Sequence, residues 1–181
     1  MTISHEHAPG GDATFAHAGV RAERADAAHA HRGVRFGIAV ARFNAGITDS
    51  LFAGAVAELL AAGVDASHIR AIQVPGAVEL PLAAKDLIQA GCAAVIALGC
   101  VIRGETAHFE YVCRAATDGC MRLMLDTGVP VGFGVITAET TEQAQTRSVR
   151  PGAAAASGHN VGAHAALAAL EILGVGRLLR N

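Results

Sequence analysis

At 181 residues, 52% of them hydrophobic, with a formal net charge of −2, the chain suits one soluble domain large enough to bury a sizeable core. Its 14 Lys and Arg are scattered and form no basic patch, which excludes nucleic acid as a partner. Charged or helix-breaking residues interrupt the apolar runs, so no membrane-spanning helix is expected, and the opening MTISHEHAPGGDATFAHAG lacks the segments of a secretory signal, which predicts a cytoplasmic protein.

Residues 1–32 read as a flexible, His-rich tail carrying His5, His7, His17, His29 and His31. Such a tail can catch a metal ion, but its Gly, Ala and charge mixture offers no apolar periodicity and no selected ligand geometry. The domain is expected over residues 33–181. VRFGIAVA is an apolar run of the kind found in a strand covered on both faces. After the break RFNAG, the residues Ile47, Leu51, Ala55, Leu59 and Ala62 fall on one helical stripe that Gly63 ends. The unit recurs. IRAIQV, PGAVE and LPLAAKDLIQA predict a strand, a loop and a helix closed by Gly91. AAVIALGCV and IRGET follow, then a long helix over about 107–126. VPVGFGVIT precedes a short helix at about 141–147 and a last one at about 161–173. Alternation of this kind implies parallel strands joined by right-handed crossovers. The expected fold is a three-layer α/β/α sandwich around a parallel four-stranded sheet of flavodoxin-like order, with ligands at the carboxyl ends of the strands.

The loops at that end hold the candidate chemistry. Gly104, Glu105 and Thr106 precede a helix whose free N–H groups and positive dipole end suit a phosphate; Glu105 equally suits a carboxylate serving the dipole alone. His108, one turn on, can accept and donate protons near neutral pH, or can simply cap or pack. Phe43 and Asn44 leave the first strand together, so that a planar heterocycle can stack and hydrogen-bond there; the plain alternative has Phe43 closing the top of the core. Glu79 can accept bonds from sugar-like hydroxyls or act as an early-helix acid. Cys92, Cys100, Cys113 and Cys120 show no metal spacing and read as small buried residues. No metal site is expected.

Together and in order, ARFN, VPGAVELPLAAK, GCVIRGETAHFEYV and GVPVGFGVITAETTEQAQTR resemble the lumazine synthase family over roughly residues 34–179. The resemblance implies a cofactor-free condensation of a ribitylaminopyrimidinedione with a butanone phosphate. It implies that Phe43 stacks on the pyrimidine, that Ala77, Val78 and Glu79 line the ribityl chain, and that Cys100, Val101 and Ile102 meet the pyrimidine edge. Glu105, Thr106 and Arg147 would hold the phosphate, and His108 would move protons. Phe133 would complete the pocket of a neighbouring subunit in a homo-oligomer, expected to be a pentamer. Two departures stand out. Val78 replaces a Phe common in the family, and GHNVG supplies no lysine where many members have GNKG. The connection SVRPGAAAASGHNVG resembles the extended one of members that form rings and no shell. Competing readings are a non-catalytic flavin or lumazine carrier, a protein selected for its assembled surface, and a flavodoxin-like electron carrier. RFNAG lacks the hydroxyls an FMN phosphate loop needs, and a carrier has no use for Arg147 beside His108.

Overall fold

A computed structural model describes residues 16–17, 20–21, 33–152 and 159–180. The tail reading falls mostly outside the described residues; within it, Ala16–His17 pairs antiparallel with Val20–Arg21. The central sheet comprises β1 (Arg35–Ala41), β2 (Ile69–Val74), β3 (Cys92–Ile102) and β4 (Val131–Ala138), all parallel, in the order β2-β1-β3-β4. This is the flavodoxin-like order expected from the sequence.

The helices are α1 (Ala45–Ala61), α2 (Leu80–Gln89), α3 (His108–Thr127), α4 (Thr141–Thr146) and α5 (Val161–Leu178). Strand alternation divides the core in two. Phe36, Ile38, Ile96 and Leu98 meet Leu51 and Leu59 of α1 and Ala166 and Leu170 of α5 on one face. Ala39, Val95 and Ala97 meet Leu80, Ala84 and Leu87 of α2 and Ala116 and Cys120 of α3 on the other. Of the predicted stripe, Ile47, Leu51, Ala55 and Leu59 are buried on α1, while Ala62 is its half-buried C-cap. Gly63 and Gly91, which end α1 and α2, have φ near +89°, a conformation in which a Cβ is strained.

Helix α5 runs five residues beyond its expected end, to Leu178, and is long and apolar enough to cross a membrane by length and composition. Its apolarity has a local cause, because Ala165, Ala166, Ala169, Leu170 and Leu173 are buried against α1 and the sheet. The approach to α1 is close. A Cβ on Gly162 would fall on the backbone of Leu51, and one on Gly54 would fall on the Asn160 amide.

Asn160 fastens this corner. Its Nδ2 donates to the carbonyls of Ser50 (2.9 Å) and Val149 (3.0 Å), while its Oδ1 accepts from the N–H of Ala163 and caps α5. Ser50 Oγ donates to the Ser148 carbonyl at 2.5 Å, and the Val161 N–H donates to the Arg147 carbonyl at 2.9 Å. The backbone after α4 is thereby held from both neighbouring helices. Val161, in the GHNVG stretch, opens α5 and packs against the core. The extended connection lies partly outside the described residues, at 153–158.

Candidate active site

The chain runs from β1 out to β2, returns past β1 to β3, and continues to β4. The loops after β1 and β3 consequently leave the sheet at its switch point, where open α/β sheets form a crevice. Asn44 spans that point. It adopts the left-handed conformation (φ 58°, ψ 47°), accessible to Asn at modest cost, and its Nδ2 donates to the Cys100 carbonyl at 3.0 Å. The amide that the sequence offered to a heterocycle therefore has an internal partner.

Phe43 is 71% exposed, so it does not close the core. Its ring lies beside Gly76, at a position where a Cβ would stand 3.4 Å from the Phe43 Cδ2 and 3.3 Å from a Glu79 carboxylate oxygen. The first and second loops thus converge. Ala77–Glu79 forms one 3-10 turn, and Glu79 Oε2 accepts from the Gly76 N–H at 2.8 Å, which fixes the carboxylate. Ala77 is buried and Val78 is about half exposed. Both alternatives weighed for Glu79 leave a trace: it serves its own turn, and its second oxygen has no part in that bond.

Cys100 is buried at the end of β3, followed by the half-buried Val101 and Ile102. Burial pushes its thiol up to about 11, so at neutral pH it is a protonated packing group and no nucleophile. Glu105 and Thr106 are exposed in the next loop. Helix α3 then starts at His108 with Ala107 at its N-cap and no side-chain bond from that position. Ala is a poor N-cap, and such a start leaves amide hydrogens for an anion. Thr106 Oγ accepts from the His108 N–H only at 3.4 Å. The exposed His108 side chain stands at the crevice end of the helix.

Arg147 is the C-cap of α4, with its guanidinium donating to the Gln143 carbonyl at 2.7 Å. A cleft of about 560 Å3 opens between the starts of α1 and α4, lined by Asn44, Gly46, Ile102, Thr141, Gln145 and Arg150. Phe133 is not brought to this cluster. It pairs with Ala97, three positions below the Cys100–Ile136 pair, hence roughly 10 Å down the sheet. Its ring is 38% exposed on the face shared by Val131 and Val135.

Sequence reasoning missed Arg103. Its Nε donates to Glu139 and its NH1 to Glu110, each at 2.5 Å, and its guanidinium carbon lies 4.3 Å from the Phe109 ring centre. An arginine directly after a strand, with acids one turn into the next helix and at the next strand end, was the available signal. Asn160 was missed as well, although an Asn before an apolar helical run is a start signal. His159 and His164 stack at 5.3 Å near it.

The fold defines a flavodoxin-like α/β protein with a crevice at the switch point of its sheet, and Phe43 and the start of α3 at His108 follow strands that end on that edge. The family described as 6,7-dimethyl-8-ribityllumazine synthase matches residues 33–177. A protein of that name from Bdellovibrio bacteriovorus is 45% identical over 142 residues, covering 78% of this chain and 75% of the relative. Another from Kineococcus radiotolerans is 48% identical over 139 residues, covering 77% and 83%. The chain belongs to this family.

Proposed function

We propose that the chain condenses 5-amino-6-(D-ribitylamino)pyrimidine-2,4-dione with 3,4-dihydroxy-2-butanone 4-phosphate to give 6,7-dimethyl-8-ribityllumazine, phosphate and water, a transferase step of riboflavin biosynthesis. The observation that carries this reading is the position of the Gly76–Glu79 turn, which lies beside Phe43 and packs against α3, the helix that opens at His108 directly after the Glu105–Thr106 loop. The aromatic amine attacks the ketone, water is lost to an imine, phosphate is expelled, and the ribitylamino nitrogen closes the ring with loss of a second water. Each step moves a proton, the task of His108. Phe43 stacks on the pyrimidine, Ala77, Val78 and Glu79 follow the ribityl chain, and the backbone of Cys100, Val101 and Ile102 meets the pyrimidine edge. Glu105, Thr106 and Arg147 hold the phosphate. Much of the acceleration comes from holding two reactive substrates side by side.

Arg147→Ala tests the phosphate assignment. A guanidinium grips phosphate by two charge-assisted bonds, so its loss raises KM for the butanone phosphate by roughly tenfold to hundredfold, as expected for a charged hydrogen bond of about 1.5–3 kcal/mol. Affinity for a phosphate-free pyrimidine analogue, measured by titration, changes less than twofold. Equal losses for both ligands would make Arg147 a structural residue.

The site reading also requires an oligomer. Phe133 is exposed and far from its own chain's crevice, and Tyr111, Met121 and Leu125 of α3 are exposed apolar side chains, as an interface surface would be. The assembly is a pentameric ring with five shared sites and no shell. Light scattering on the purified protein is expected to give one species near five chain masses. A species of tens of chains would contradict the ring, and an active monomer would contradict the shared site.

A further inference from the structure

We infer that Arg103 is a positioning residue that holds the phosphate loop through two carboxylates and is itself no phosphate ligand. The inference rests on the function proposed above. An arginine in an IRGET loop beside a phosphate cradle invites assignment as an anion ligand. Its surroundings argue otherwise. The Arg103 N–H donates to the Ala138 carbonyl at 2.9 Å, its Nε to Glu139 and its NH1 to Glu110, and its guanidinium carbon sits over the Phe109 ring. One side chain thereby joins the end of β3, the first turn of α3 and the turn between β4 and α4.

The segment 104–107 is tethered between these anchors. It carries Glu105 and Thr106, and it leads into His108. The chain of contacts continues past Glu139, whose N–H donates to Gln143 Oε1 at 2.9 Å; the Gln143 carbonyl in turn accepts from Arg147. Loop, imidazole and second arginine are thus referenced to one guanidinium. Its charge is fully committed, because two carboxylates face one cation and the cluster carries a net −1. The same contacts hold the Glu110 carboxyl below the ordinary glutamate range, with the Arg103 hydrogen bond as the main cause.

All three side chains are exposed, so the pairs contribute little to folding stability. Their effect is geometric, and misplacing a bound group by about 1 Å can cost roughly a hundredfold in rate. Lysine cannot replace the fork, since a single ammonium does not reproduce two bonds directed from different nitrogens of one planar group.

The test compares wild type, Arg103→Lys and Glu139→Gln as assembled enzymes. It measures both substrates' KM values, the affinity for inorganic phosphate by titration, and Tm. Arg103→Lys is expected to raise KM for the butanone phosphate by about tenfold, a loss within what loop misplacement can cause, with KM for the pyrimidine changed less than twofold. Tm stays within a few degrees of wild type. Glu139→Gln is expected to weaken phosphate binding in the same direction. If Arg103 were a phosphate ligand, removing a competing carboxylate would free its guanidinium. Tighter phosphate binding by Glu139→Gln, or full retention of KM by Arg103→Lys, overturns the inference. Failure of the wild type to form lumazine would instead overturn the proposed function.

Discussion

Replacing His108 with Ala is expected to lower the turnover number by between about tenfold and a thousandfold while pyrimidine binding stays within about twofold of wild type. The imidazole stands exposed at the start of α3, with the loop that carries Glu105 and Thr106 immediately before it. Every step of the condensation moves a proton, so loss of the imidazole assigned to that transfer slows several barriers together. The loss sits toward the lower end of general acid/base contributions because the second, larger contribution survives: the two substrates are still held side by side. Steady-state kinetics and a binding titration with the pyrimidine separate the two effects. An unchanged turnover number removes His108 from the mechanism, and a parallel collapse of pyrimidine affinity makes it a structural residue.

The second large effect concerns stability. In Gly162→Ala the new methyl would meet the carbonyl and Cα of Leu51, which are backbone atoms of α1 and cannot rotate away. The helices must separate, and overpacking of this kind costs about 1–3 kcal/mol, occasionally more. That exceeds the gain of up to ~1 kcal/mol from removing a glycine inside a helix. For a domain of this size each kcal/mol shifts Tm by roughly 2–4 °C. Gly176→Ala, in the same helix, is the control. There the methyl meets only the movable end of the Arg180 side chain, so the helical gain stands and Tm rises or holds. Thermal denaturation of the two variants side by side is decisive. A stabilised Gly162→Ala protein would mean that α1 and α5 do not approach as closely as described. The consequence reaches the site, because the same corner holds the backbone after Arg147 through Asn160 and Ser50.

The sheet and its helices were legible in the sequence because each buried face writes itself locally. VRFGIAVA and AAVIALGCV are apolar on both faces, and the Ile47, Leu51, Ala55, Leu59 stripe has one helical period. Gly63 and Gly91 mark helix ends by a conformation that disfavours side chains. The site loops were legible as positions, since strand ends follow from the apolar runs along the chain, and the family motifs lie on them. Side-chain commitments were not legible. Whether Asn44 turns to a ligand or to the Cys100 carbonyl depends on a residue 56 positions away. Arg103 is separated from Glu139 by 36 positions, and Asn160 from Ser50 by 110. Such partners are set by the packing of elements, which no local pattern records. Phe133 presents the converse case. Its place in β4 follows from alternation, while its exposure on a face shared with the buried Val131 and Val135 does not.

Condensation of the two substrates is the defining activity of the proposed enzyme. Purified protein mixed with the ribitylaminopyrimidinedione and the butanone phosphate, followed by absorbance and fluorescence of the lumazine and by a phosphate assay, tests it most directly. The predicted result is catalytic formation of the lumazine with one phosphate released for each product molecule, at a rate proportional to protein and well above the spontaneous reaction. A protein that binds the lumazine tightly yet leaves the rate at its spontaneous value would contradict the account and make the crevice a carrier's pocket.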